Sequence, residues 1–221
     1  MARALVAWSS GKDSAFALWQ ARRAGLDIAG ILTTVTGDYA RVSMHGVREE
    51  LLDRQAAELG LPCTKVRIPA GCTNERYQAE MGAAMRAARD AGVTQVVFGD
   101  LFLADLRAYR EKMLAEIGMT GVFPLWLRDT RELAREMIAA GLVAHLVCVD
   151  PRHVAPALAG RRFDAALLDE LPTAVDPCGE NGEFHTCVSA GPMFARAIPV
   201  AVGEVVARDG FVFADLSAAA T

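Results

Sequence analysis

Apolar residues follow two rhythms along this chain. Short β-rich runs occupy residues 4–8, 28–35, 63–68, 95–98 and 144–149. Between them, residues 14–24, 47–59, 74–91 and 130–140 place apolar side chains three and four apart. The first rhythm predicts buried strands and the second amphipathic helices. Their alternation predicts a parallel sheet with helices on both faces. Gly25, Gly60, Gly92 and Gly141 each follow a helical run, where a left-handed residue commonly ends a helix. Asn74, and Asp129 or Thr130, are predicted to cap the helices that begin beside them.

Past residue 150 the pattern breaks. Pro151, Pro156, Pro172, Pro177, Pro192 and Pro199 interrupt the periodicity, and a glycine-rich turn system runs through residues 177–186. Residues 198–206 and 211–213 read as a hairpin around Asp209-Gly210. The expected organisation is a domain at 1–150 and a smaller lobe at 151–221, with no linker long enough to make the lobe independent. The tail at 217–221 is expected to fray.

Composition narrows the classes. With 221 residues and 52% hydrophobic content, the chain can bury a core without covalent staples. A net charge of −4 argues against an extended nucleic-acid surface. Five cysteines without a CxxC pair point to a reducing compartment. No apolar run approaches the ~20 residues of a membrane helix, and the first residues enter a strand without a basic leader. A cytoplasmic protein with no membrane partner is expected.

Candidate chemistry begins where the first strand stops. Trp8 is followed by Ser9-Ser10-Gly11-Lys12-Asp13-Ser14, and a helical pattern starts at about Asp13. A strand that turns directly into a helix N-terminus presents unpaired N–H groups and a positive dipole end, an anion site. The serine hydroxyls and Lys12 suit phosphate. The Walker A pattern fails because Val6 stands in its first glycine place and Asp13 follows the lysine. A dinucleotide fingerprint fails for want of glycines. What remains resembles the S-G-G-x-D-S loop of the PP-loop ATP pyrophosphatases through Ser9, Gly11, Asp13 and Ser14, with Ser10 in place of the other glycine. The plain alternative is a helix start in which Asp13 or Ser14 is only a cap.

Two more loops fall at the same sheet rim. The loop at 36–46 carries His45. Gly99-Asp100 follows the fourth strand, trailed by Asp105, Arg107, Arg110 and Glu111, which by themselves read equally as a solvated helix face. Later comes Cys178-Gly179-Glu180-Asn181-Gly182-Glu183-Phe184-His185-Thr186. Glu180 and Glu183 flank an Asn-Gly turn, so their carboxylates could converge on one site. An exposed hairpin turn is the alternative. Zinc at Cys178, His185 and Cys187 fits no established ligand spacing.

Taken together, the residue 9–14 loop, Gly99-Asp100 and the Cys178–Thr186 segment resemble the diphthine–ammonia ligase family of PP-loop enzymes, across residues 3 to about 200. The resemblance implies an α/β fold, an open parallel-sheet three-layer sandwich of the adenine nucleotide alpha hydrolase (HUP, Rossmann-like) type with a small C-terminal α+β lobe. It implies ATP and Mg²⁺ as cofactors, an unknown carboxylate acceptor and ammonia as nucleophile. The 1–150 domain would bind ATP and the 151–221 lobe would face the acceptor.

By the same resemblance, Ser9, Ser10, Gly11, Lys12, Asp13 and Ser14 would hold the departing pyrophosphate, with Asp13 and Asp100 on the metal. Thr33, Thr34 and Gly99 would contact the nucleotide. Lys12, Asp13, Glu180 and Glu183 would be catalytic, the two glutamates orienting or deprotonating the amine. His45, Arg110, Asn181, His185 and Thr186 would contact substrate. His185 departs from the archetypal motif, and the segment at 44–48 resembles a bacterial-type subgroup, for which an acceptor other than diphthine is expected. A homodimer is left open. The rivals are a PP-loop enzyme acting on a tRNA base, which would need a basic surface, and a non-catalytic adenine-nucleotide sensor, which has no need of Glu180 and Glu183.

Overall fold

The computed structural model describes residues 2–43 and 45–219. The first sheet holds β1 (Arg3–Ala7), β2 (Asp27–Thr36), a short β3 (Arg41–Val42), β4 (Cys63–Ile68), β5 (Gln95–Val97) and β6 (Thr120–Val122). Strands β4, β2, β1, β5 and β6 lie side by side and are parallel throughout. Antiparallel β3 pairs with Val35 and Thr36 of β2, and β4 already occupies the other edge there, so β3 continues the sheet beyond the end of β1.

Helices α1 (Lys12–Arg23) and α2 (Glu49–Leu59) cover one face; α3 (Asn74–Asp90) and α4 (Ala104–Ala115) cover the other. Alternation along β1 makes the division visible. Ala4 and Val6 join the core under α1 and α2, whereas Leu5 packs with Met85 and Leu114 from α3 and α4. The chain moves outward from β1 to β2 and β4, then jumps back across β1 to β5. The carboxyl ends of β1 and β5 therefore flank a topological switch point, where open α/β sheets hold ligands.

A second, antiparallel sheet has the order β8-β7-β10-β9, formed by β7 (Val143–Val149), β8 (Phe184–Ala190), β9 (Val200–Arg208) and β10 (Phe211–Ala218). It shares one core with α1 and α2. Helix α5 (Thr130–Ala139) leads into β7, and α6 (Ala165–Glu170) lies between β7 and β8. The predicted hairpin is present, with Asp209 and Gly210 both at positive φ.

Three expectations need correction. The 144–149 run was expected beside the parallel strands, but β7 lies between β8 and β10 and pairs antiparallel with both. The fifth parallel strand is instead Thr120–Val122, three residues with a glycine inside, too short to give a periodicity signal. Thr73, rather than Asn74, caps α3 by accepting from the Arg76 N–H at 3.3 Å. Ser217 and Ala218 do not fray but pair with Ala201 and Val200; Ala220 and Thr221 lie outside the described residues. Asp129 caps α5 as expected, accepting from Glu132 N–H at 2.8 Å.

Candidate active site

The 9–14 loop follows β1 and opens α1, with Gly11 in an extended conformation as the residue before the helix. Its hydroxyls knit the turn. Ser14 Oγ donates to the Gly11 carbonyl at 3.0 Å and lies 3.1 Å from Ser9 Oγ, which accepts from Gly11 N–H at 3.3 Å. Among the described residues, no backbone carbonyl takes the N–H of Asp13 or Ser14. The first turn of α1 thus keeps its orphan donors for an anion.

Ser10 sits at φ 66°, the left-handed region that a glycine would enter at no steric cost. Its Oγ is fully buried with no hydrogen-bond partner, so its hydroxyl does not reach the cavity as a phosphate contact, contrary to expectation. The Ser10 carbonyl instead accepts from Val188 N–H and from Gln55 Nε2, at 2.9 and 3.2 Å. Buried Gln55 also bonds Trp8 Nε1 and the Val188 carbonyl, fastening loop, α2 and β8 together. A glutamine inside an amphipathic helix carries no sequence mark of that task.

The late segment closes over the loop. Thr186 Oγ1 accepts from Lys12 N–H at 3.1 Å. The Lys12 side chain is buried, 2% exposed; its ammonium bonds Asp13 Oδ2 at 2.9 Å and the Cys178 carbonyl, and stands over the Phe163 and Phe184 rings. The expected point charge on pyrophosphate is therefore corrected. The ammonium clasps the two motifs to each other, and its charge is matched by Asp13.

Together these elements enclose a cavity of about 240 Å³ lined by Ser9, Gly11, Lys12, Asp13, Ser14, His45, Gly99, Asp100, Arg110, Glu180, His185 and Thr186, among others. Gly99 explains how β5 meets the loop. A Cβ there would stand 2.7 Å from the Asp13 carbonyl carbon and 2.8 Å from Ser14 N, backbone atoms with nowhere to go. We expect Gly99→Ala to cost about 1–3 kcal/mol and to weaken ATP binding about tenfold or more, because Asp13 and Asp100 move apart together. Thermal melts and ATP titration check this; unchanged values in both would sink it.

Three carboxylates face this space. Asp13 Oδ1 is buried without a hydrogen-bond partner. Asp100 pairs with Arg110, whose Nη2 donates to Oδ1 at 3.2 Å; Nε lies 2.7 Å from Oδ2 but out of hydrogen-bond alignment. The Arg110 guanidinium stacks on Phe98, 4.4 Å from the ring centre. Glu180 Oε1 accepts the Leu101 N–H at 2.7 Å. Burial raises all three carboxyl pKa values, and Glu180 reaches about 7, pushed up by burial and by the neighbouring Asp13 and Asp100 charges. The rings of His45 and His185 lie 4.5 Å apart, and burial holds both neutral, near 3 and 4 respectively.

Other predicted site residues fall elsewhere. Glu183 is 3% exposed and faces inward: its carboxylate accepts from the N–H groups of Asp176 and Asn181 and from Asn181 Nδ2, each at 3.0 Å. It shapes the turn that presents Glu180, so neither Glu183 nor Asn181 reaches the cavity wall. Asp176 does similar work, accepting from Cys178 and Glu180 N–H groups. An acid just before a Pro-Cys-Gly turn is a recognisable turn-former, and that signal could have found it. Thr33 and Thr34 do not line the cavity; Thr33 Oγ1 is buried unpaired and the Thr34 carbonyl accepts from Ser43 N–H. No cluster of three or more His, Cys, Asp or Glu side chains is preformed for a metal among the described residues. Nor is any described helix long and apolar enough to cross a membrane.

Comparison with known proteins places this geometry in a family. A model of the diphthamide synthase N-terminal domain matches residues 2–121, and one of its C-terminal domain matches residues 129–215. A diphthine–ammonia ligase of Danio rerio is 26% identical over 93% of this chain and 89% of its own length. The Homo sapiens enzyme of that name is 23% identical over 95% and 86%. A solved structure described as a predicted subunit of tRNA methyltransferase, from Methanocaldococcus jannaschii, aligns at 14% identity over 87% of this chain and 98% of that one, with a TM-score of 0.44.

Proposed function

The chain belongs to the diphthamide synthase family, and from that premise we propose that it is an ATP-dependent amide-forming ligase. An acceptor carboxylate attacks the α-phosphorus of ATP, the bond to the β-phosphate oxygen breaks and pyrophosphate leaves. Ammonia then attacks the acyl carbon of the adenylate and AMP departs. The observation that carries this reading is the closure of the late motif on the loop. Lys12 N–H bonds Thr186 Oγ1, the Lys12 ammonium holds the Cys178 carbonyl, and Glu180 is thereby set beside Asp13 and Asp100. Relatives named diphthine–ammonia ligase favour this reading over a tRNA-base reaction or a nucleotide sensor.

The residues divide by position. The first turn of α1, with Ser9 and Ser14, cradles phosphate. Glu180, half-protonated near neutrality, accepts the proton that ammonium must lose to become a nucleophile. Arg110, His45 and His185 border the space left for the acceptor. Mg²⁺ suits the donor set. The oxygens of Asp13 and Asp100 are hard ligands, Asp13 Oδ1 has no partner, and Mg²⁺ ordinarily needs only one or two carboxylates besides phosphates and water. When bound, it would neutralise phosphate charge. On this reading ATP lies against the parallel-sheet domain, and the C-terminal lobe meets the carboxylate end of the acceptor through Glu180 and His185.

The test is the product pair. ATP turnover is expected to give AMP and pyrophosphate, read by chromatography and a pyrophosphate assay during a screen of cell extract for acceptors. ADP and phosphate as sole products would overturn the reading.

A further inference from the structure

A second cavity, about 140 Å³, opens between α3 and α4 on the far side of Phe98 from the ATP cavity. Phe98 and Arg110 belong to the walls of both spaces, so the two are neighbours across one ring and one guanidinium. The helices that frame it are loosely seated. Of all the residues of α3 only Met85 is buried, and of α4 only Leu114. The gap between them is faced by Met81, Met85, Met113, Tyr77 and Tyr109. Thioethers with several rotatable bonds adapt to varied shapes, and aromatic edges beside them favour a flat or apolar guest. Gly82 also faces the gap, with Arg86 Nη1 lying over it; Arg86 has no carboxylate partner within 4 Å among the described residues.

Size and polarity narrow the occupant. The gap is smaller than a typical small-molecule site, so it takes part of a ligand. Its walls are mostly apolar; the charged groups among them are the guanidiniums of Arg86 and Arg110 and the carboxylate of Glu116, and Arg110 stands on the boundary with the ATP cavity. A molecule with an anionic group and an apolar body would satisfy both regions. We propose that the α3–α4 gap is the acceptor subsite, holding the apolar or aromatic portion of a carboxylate-bearing acceptor whose carboxylate lies past Arg110 in the ATP cavity. This rests on the amide-forming reading, which supplies the carboxylate. Arg110, already stacked on Phe98 and paired with Asp100, is the positioning residue at the junction.

The probe is 3-phenylpropionate, with propionate as the short control, titrated calorimetrically into the full chain. Burying the ring should make 3-phenylpropionate bind about tenfold or more tightly than propionate. Met113→Trp, which fills the gap, should abolish that difference while ATP affinity stays within error as a check on folding. Met113→Ala, which enlarges it, should shift preference toward 2-naphthylacetate. A size preference that moves in both directions is not produced by a merely structural methionine. No binding of 3-phenylpropionate to the wild-type chain, equal binding of the two acids, or a preference untouched by both substitutions would each overturn the proposal. Failure of the amide-forming reading registers separately, as ring-dependent binding with ADP rather than AMP as the product of turnover.

Discussion

Lys12→Met should lower the stability of the protein by about 3–5 kcal/mol, which in a chain of this size is roughly 6–20 °C in melting temperature. The expectation comes from what the ammonium holds. Its removal leaves the Asp13 carboxylate without its counter-ion and the Cys178 carbonyl without a donor. Two rings, Phe163 and Phe184, also lose a cation over their faces. Asp13 remains 27% open to the cavity, so water relieves part of the loss and the lower end of the range is favoured. Methionine keeps the length and apolar stem of lysine, so the change isolates the charge. A lysine acting only on pyrophosphate would behave differently: ATP affinity would fall while the melting temperature stayed put. Melts with and without saturating ATP separate the two, and an unchanged ligand-free melt would remove the clasp from the account.

Glu180→Gln should remove amide-forming turnover by about 10²–10⁴-fold and yet stabilise the ligand-free protein above neutral pH. The sign follows from proton binding. The folded-state pKa of Glu180 is about 7 against an ordinary value of 4.5, so the folded protein holds the proton more tightly than the unfolded chain. Its favourable contribution is complete below pH 4.5, declines through the window between, and is gone above about pH 7. Glutamine copies the neutral form and still offers an oxygen to the Leu101 N–H. The variant should therefore melt higher than wild type at pH 8 and match it at pH 4.5. A melting difference that is flat with pH would show that Glu180 is not the titrating group. Full activity in the variant would take the proton-accepting role away from it.

Much of the parallel sheet was legible because buried strands and amphipathic helices write different periods. The runs at 4–8, 28–35, 63–68 and 95–98 all became parallel strands of one sheet. The run at 144–149 has the same texture but a different place, since a strand buried on both faces reads alike whichever sheet receives it. The loop at 9–14 was legible as a turn from strand to helix N-terminus because such a turn is a local object. Glu183 was misplaced for the opposite reason. Its neighbours in sequence suggest a convergent carboxylate, but which of two glutamates flanking a turn points outward is set by the hydrogen bonds of Asp176 and Asn181.

The sequence by itself determined the alternation of elements, the strand-to-helix turn at residues 9–14 and the family resemblance that the domain matches bear out. These depend on local periodicity and on residues close together in the chain. Only the tertiary structure decided that Lys12 is a buried clasp, that Glu180 and not Glu183 faces Asp13 and Asp100, and that Gly99 must lack a Cβ. Each depends on contacts between segments tens of residues or more apart, where burial and the close approach of backbones fix a side chain's partner.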